Sequence, residues 1–517
     1  MKNKIYLVTL SPNTHRTSEE NLGILYLKSS LVKAGYQVEI IDGWLNEYSV
    51  LDVFNKIVYD ENLLFVGISS YMSNTKPSIE LVQLLKRAYP DIKIVGGGFG
   101  PTFYPNDHLD NGYDFICRGE GEISLVELAD CLKRGSSYKE IKGISYKDND
   151  IIINNPCHNL VDDLDSLPFP ARDTMDIILK NKSTVNMLTS RGCSGNCEFC
   201  SVISFFRLSD GRIWRTRSIN NIVDEIENLY QQGVTYIKMV DDSFVDGIRD
   251  VQWCHDFANE INKRNIKVNL RGQIRADKIT DEILFYLKEA GFFSFACGIE
   301  NGSETSLARM NKKATLEDNR RALELFKKYQ YLVQMGFILF DRETTLEELE
   351  ENYRFLREFE YTVTKGIFSE MYSAEGTFLN SKLRKNNQLS ESDFIHNNNK
   401  YQLVVPEVKL IYDALKLWHK SHSEVYDMTI DPLTAPKALP REELQLFYDY
   451  AMELKRKDLE IFESILDLSR KKTNDINTFV LDSIANSSSF YDSIEQCVAK
   501  VYQKNGFNYN ASKNPFI

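Results

Sequence analysis

Short β-branched runs alternate with amphipathic helical stretches from residue 4 to residue 373, and this alternation limits the fold more than any other feature of the chain. In the first series, strand-length apolar runs lie at 4–10, 37–42, 63–68, 92–96 and 114–117, separated by helical patterns near 20–34, 49–61, 75–88 and 122–133. Alternation with short links predicts a parallel sheet covered by helices on both faces. Ligands of such sheets sit at the carboxyl ends of the strands. A second series places strands at 184–190, 236–241, 267–272, 294–299, 332–340 and 366–373, with helices at 219–232, 250–264, 280–290, 316–329 and 345–358. Six β/α repeats predict a partial parallel barrel with its chemistry at the C-terminal strand ends. From about 376 the pattern changes. Asn386-Asn387 and Asn397-Asn398-Asn399 mark loops, and helices are expected at 406–424, 440–470 and 476–503, punctuated by Pro432, Pro436 and Pro440. The expected class is therefore α/β in three parts: residues 1–160, a barrel over 161–375 and a helical region over 376–517.

Composition narrows the partners. With 62 Lys+Arg against 74 Asp+Glu in 517 residues, the net charge of −12 argues against a chain built to neutralise nucleic acid. No stretch reaches the eighteen or so apolar residues of a membrane span, and the first apolar run is too short for a signal peptide. A cytoplasmic protein without membrane or nucleic-acid partners is expected. Nine cysteines are too few for a disulfide scaffold of this length. Six are scattered singly, and Cys117 and Cys297 fall inside strand runs, as packing thiols do.

The other three, Cys193, Cys197 and Cys200, share the segment TSRGCSGNCEFCS just after a strand. Three thiolates on one short loop can each reach a different iron of a cubane cluster, and a fourth iron without a protein ligand is an open coordination site. Zinc would want a fourth ligand, and a disulfide would strand one thiol. Other strand ends carry candidate ligand contacts. Ser69-Ser70 follows the third strand, and Gly96-Gly97-Gly98 follows the fourth, where glycine allows either a close ligand approach or a tight turn. Asp241-Asp242 follows a later strand, where an Asp pair caps a helix or contacts a ligand. Arg207, Arg212, Arg215 and Arg217 screen an anion or are solvated loop charges, and His419 and His422 are expected on a solvated helical face.

The spacing Cys193-x3-Cys197-x2-Cys200 after a strand resembles the radical S-adenosylmethionine signature. The segments GISSYMSN, IVGGGFGPT and DFICRGEGE resemble the Rossmann-like cobalamin-binding domain that precedes the barrel in cobalamin-dependent members of that family. The resemblance implies a [4Fe-4S] cluster on the three cysteines whose open iron chelates S-adenosylmethionine, with Phe199 near the adenine. It implies that Ser69, Gly96, Gly97 and Gly98 hold the cobalamin tail and corrin edge. Asp241 would meet the ammonium group. Glu300, in a Gly-Ile-Glu segment, would meet the ribose. Ile338 falls in an adenine-contact pattern that Phe340 breaks, standing where a second Gly is usual. The cobalt-ligating Asp-x-His-x-x-Gly motif is reduced to His15 without its Asp and Gly, so His15 is an axial ligand or a surface histidine. The expected activity is C-methylation of an unactivated carbon in a small molecule or peptide, with an electron donor such as flavodoxin or ferredoxin. The alternative is a cyclisation, rearrangement or epimerisation on the same cofactors. A methylthiotransferase would want a further cysteine-held cluster, and a cobalamin sensor would have no use for the cysteine loop.

Overall fold

The computed structural model describes residues 2–12, 20–181, 183–395, 398–434, 439–472 and 475–506. His15 lies outside the described residues. The first sheet holds β1 (Lys4–Thr9), β2 (Gln37–Asp42), β3 (Leu63–Ser69), β4 (Ile94–Gly97), β5 (Phe115–Cys117), β6 (Ile144–Asp148) and β7 (Ile151–Asn154). Their order is β2-β1-β3-β4-β5-β6-β7. The first five are parallel, and β6 and β7 are antiparallel at the edge. Chain order reverses beside β1, which opens a crevice at the carboxyl ends of β1 and β3. Two apolar cores flank this sheet, one containing Leu25, Phe65 and Leu128, the other Tyr6, Val66 and Leu81. The β6–β7 pair was not expected: it is Ile-rich, but only antiparallel pairing with β5 distinguishes it from a loop.

After a connector come β8 (Val185–Met187), a two-residue β9 (Ser190–Arg191), β10 (Arg215–Thr216), β11 (Tyr236–Met239), β12 (Asn269–Arg275), β13 (Phe292–Glu300) and β14 (Leu332–Phe337). The barrel sheet is β14-β13-β12-β11-β8, all parallel. The expected sixth strand forms only two isolated bridges, Gln334 to Val363 and Phe340 to Glu370. Gly366, in the left-handed region at φ 83°, interrupts it between them. The barrel helices start where the sequence supplies caps. Side chains of Ser218, Asp250, Thr280, Thr315 and Thr345 accept the backbone N–H of the third helical residue, each worth about 1 kcal/mol.

Three long helices, Pro406–Thr434, Arg441–Arg470 and Ile476–Asn505, close the molecule and share one apolar core with the barrel. The first runs ten residues beyond its expected end. Pro432 sits in its last turn, where the chain ends the helix anyway. Asn398 and Asn399 of the expected loop instead lie in β16 (Asn398–Tyr401), paired with β15 (Leu389–Asp393), while Asn397 lies outside the described residues. The expected solvated face of His419 and His422 is also corrected. His422 is buried beside Asp458 at 3.3 Å, and Trp418 Nε1 donates to the same carboxylate at 2.7 Å. Packing of three helices turns that face inward.

Candidate active site

The cysteine loop is fixed by its glycines and by two carboxylates. Gly192 has φ 83°, and a Cβ there would lie 2.1 Å from the Ile213 carbonyl oxygen, so no side chain fits. Its N–H donates to Asp242 Oδ2 at 2.9 Å, and the Ser194 N–H and hydroxyl donate to Asp246 at 2.9 and 2.7 Å. Cys193 Sγ accepts the Gly195 N–H at 3.3 Å and Arg275 Nη1 at 3.7 Å. All three cysteines are free and partly exposed. Among the described residues no three His, Cys, Asp or Glu side chains converge on a single ion. That disfavours a mononuclear zinc site. It is compatible with a cubane, whose ligands bind different irons.

Beside Cys197 stands a group that the sequence did not advertise. Lys312, 6% exposed, donates to Glu300 Oε1 at 3.1 Å, and both charges act on Cys197. Glu300 has φ 68°, a strained conformation for a non-glycine residue. Its carboxylate lies where a Cβ of Gly298 would come within 2.5 Å. The Ile338 N–H donates to the Glu300 carbonyl at 2.6 Å, so these two expected contacts are adjacent at one barrel rim. Phe199 lies partly buried between Cys197 and Cys200. Lys312 follows a helix end as part of a Lys-Lys pair, which looks like a solvated surface until the fold buries it.

Asp241 is placed differently from the expectation. It is fully buried, and it accepts from the Thr189 N–H at 2.6 Å, Ser190 Oγ at 2.9 Å and Arg249 Nη1 at 3.3 Å. It braces strand ends and does not line the cavity described next. Its neighbour Asp242 does line it, and burial together with the Asp241 charge pushes that carboxyl up to about 6.

A cavity of about 830 Å³ runs from the carboxyl edge of the first sheet into the barrel. This is the upper end of ordinary small-molecule sites, roughly 300–1,000 Å³. Ser69 and Gly96, Gly97 and Gly98 line it. The three glycines serve different ends. A Cβ on Gly96 would strike Ile116 and Tyr113, and one on Gly98, at φ 94°, would lie 2.6 Å from the Ser70 carbonyl oxygen. Gly97 alone of the three has room for a Cβ, which would meet its nearest atom, the Cys117 carbonyl oxygen, at 3.6 Å. An aromatic wall crosses the junction: Tyr71 stacks near Phe99 (6.2 Å between centroids), and Phe99 on Phe205 (4.6 Å). Flat rings beside an open glycine suit a macrocycle edge.

Ion pairs clamp the first sheet to the cysteine loop. Arg191 binds Glu120 at 2.8 Å and Glu122 at 2.5 Å, and Arg215 binds Glu120 at 2.9 Å. Arg217 pairs with Glu225. Arg215 and Arg217 are therefore buried structural cations rather than solvated charges, whereas exposed Arg212 pairs with Asp162.

Residues 14–129 match the B12-binding domain family, and residues 187–356 match the radical SAM superfamily. The chain belongs to the cobalamin-dependent radical S-adenosylmethionine enzymes. Membership brings this radical enzyme three cofactors: cobalamin, S-adenosylmethionine and an iron–sulfur cluster. An uncharacterized methyltransferase of Pyrococcus horikoshii is 28% identical over 420 residues, covering 79% of this chain and 88% of the relative. An anaerobic magnesium-protoporphyrin IX monomethyl ester cyclase of Synechocystis is 26% identical over 321 residues, covering 60% of this chain and 62% of that one. The radical enzyme OxsB, solved with aqua-cobalamin and S-adenosylmethionine, shares the fold with TM-score 0.77 at 22% identity, over 100% of this chain and 83% of that chain. Among the described residues, no helix is long and apolar enough to cross a membrane.

Proposed function

We propose that this radical enzyme is a C-methyltransferase acting on an unactivated carbon of a small molecule, working in the cytoplasm with a flavodoxin or ferredoxin as electron donor. The observation that carries the reading is the single cavity. It is bounded at one end by Ser69 and Gly97 and at the other by barrel residues such as Lys238 and Arg271. A ligand at the sheet edge and a ligand in the lumen would therefore meet without leaving the protein. When bound, the cluster with S-adenosylmethionine supplies a hydrogen-abstracting radical, and the corrinoid supplies a methyl group.

The residues of this chain do the rest. Cys193, Cys197 and Cys200 would hold the cluster, with Arg275 and the Gly195 N–H donating to Cys193 Sγ. Glu300, steadied by Lys312, and Ile338 would orient S-adenosylmethionine, with Phe199 against its adenine. Ser69 and Gly97 would seat the corrinoid. The Tyr71–Phe99–Phe205 wall would present flat apolar rings to a bound corrinoid at the junction. The Arg191 clamp fixes the distance between the two binding ends.

The test is anaerobic turnover of the reconstituted enzyme with methyl-deuterated S-adenosylmethionine. Methylation predicts both S-adenosylhomocysteine and deoxyadenosine, with label in a product one methylene heavier. Deoxyadenosine without S-adenosylhomocysteine would favour the non-methylating reading, which the cyclase relative supports.

A further inference from the structure

The barrel lumen is lined against the usual rule. Interiors of parallel barrels are filled with Val, Ile and Leu. Here Asn186, Lys238, Arg271 and Ser294 stand in register on β8, β11, β12 and β13, so one row of neighbouring side chains points the same way. Asn186, Lys238 and Arg271 line the cavity, and so does Gln334 on β14. Arg271 is 3% exposed. It donates from Nη1 to Ser294 Oγ at 2.9 Å and from Nη2 to Gln334 Oε1. Ala296, next along β13, is small and keeps the space above open.

Burying the Arg271 charge adds no stability over an apolar residue of equal volume and often reduces it. The row therefore answers to a ligand. Charges facing it across the cavity come from the helix Pro406–Thr434, where Asp427 and Asp431, four residues apart, share one face. Lys365 lines the same cavity two residues beyond the Val363 bridge and has no ion-pair partner among the described residues. An apolar chain entering this space would strip water from Lys238, Arg271 and both aspartates without replacing it.

We propose that the barrel end of the cavity is a substrate subsite for a small polar molecule bearing an oxyanion, phosphate or carboxylate, recognised by Lys365 with Arg271. The proposal rests on the reading of the lumen as the substrate site and names the class of molecule it takes. The amides of Asn186 and Gln334 supply the donors and acceptors that orient such a molecule, while Asp427 and Asp431 hold off a second anion.

The test uses the full chain reconstituted with cluster, cobalamin and S-adenosylmethionine. Inorganic phosphate, acetate and methylammonium are titrated separately at constant ionic strength, read by calorimetry and thermal shift. The wild type should bind phosphate or acetate in the millimolar range, and the tighter of the two names the oxyanion. Lys365→Met should weaken that binding at least about fivefold, and Lys365→Arg should retain it. Lys365 is exposed to the cavity, so neither variant threatens folding. Binding of methylammonium alone, no oxyanion binding, or equal binding by Lys365→Met would overturn the proposal. Deoxyadenosine formation without substrate is measured on the same samples. If it persists while oxyanion binding is absent, only this subsite falls; if it is absent altogether, the enzymatic reading falls.

Discussion

Asp242 carries the sharpest residue-level consequence of the junction between the two ligand ends. Its carboxyl sits near 6 because burial and Asp241 disfavour the charge more than the Gly192 N–H favours it. The folded chain therefore holds this proton more tightly than the unfolded chain does. Its contribution to stability is fully present below the ordinary carboxyl range and is lost as pH rises through about 6. Asp242→Asn should flatten the fall in melting temperature between pH 5 and pH 7, an effect of at most about 3 kcal/mol. An unchanged slope would show that the carboxylate is solvated. The cysteines behave oppositely. Because all three are partly exposed, Cys193→Ala, Cys197→Ala or Cys200→Ala should abolish iron retention, seen in the absorption spectrum, while shifting apo-protein stability by less than about 1 kcal/mol. Lys312→Met should keep the iron yet weaken S-adenosylmethionine binding roughly tenfold by calorimetry, since Glu300 loses the partner that holds it over Gly298. The cysteine spacing was legible because three thiols on one loop is itself chemistry. Lys312 was not, because its role depends on a fold that brings it to Cys197.

At the scale of elements, glycines separate geometry from ligand contact. Gly98→Ala places a Cβ 2.6 Å from a backbone oxygen at positive φ and should destabilise the first sheet by about 1–3 kcal/mol in denaturant titration. Gly97→Ala meets nothing closer than 3.6 Å, so folding should be unaffected, and cobalamin retention after gel filtration should fall. Equal cobalamin retention by Gly97→Ala and wild type would remove Gly97 from the site. The sequence marks all three glycines alike, and only the packing of Tyr113, Ile116 and Ser70 tells them apart. The parallel strands were legible because β-branched runs buried on both faces leave little else for the chain to do. The β6–β7 pair and the 389–401 hairpin were not, since their pairing is tertiary and the hairpin's Asn- and charge-rich sequence has weak strand preference. The sixth barrel strand was expected from its apolar run, but Gly366 and the packing of His419 against it reduce it to bridges.

The whole molecule is organised around one contact between its halves. Arg191 immediately precedes the cysteine loop and binds both carboxylates of the GEGE segment, and Arg172 links Glu20 to Glu225 at 2.9 and 2.8 Å. These pairs are nearly buried, so removing one partner leaves an uncompensated charge that costs about 3–5 kcal/mol. Glu120→Gln should loosen the junction, measured as faster proteolysis of the connector before β8, and should lower turnover even with all cofactors bound. Composition pointed to none of this. The net charge of −12 says only that the chain is mildly acidic, while its arginines gather at a buried interface that no count reveals. Cluster and corrinoid must occupy the same chain at once for the two ends of the cavity to act together. The direct measurement is iron and cobalt per chain after anaerobic reconstitution and gel filtration, with the absorption spectrum alongside. One cubane and one corrinoid together are the expected result; a preparation that keeps the cluster but no cobalt would overturn the cobalamin assignment.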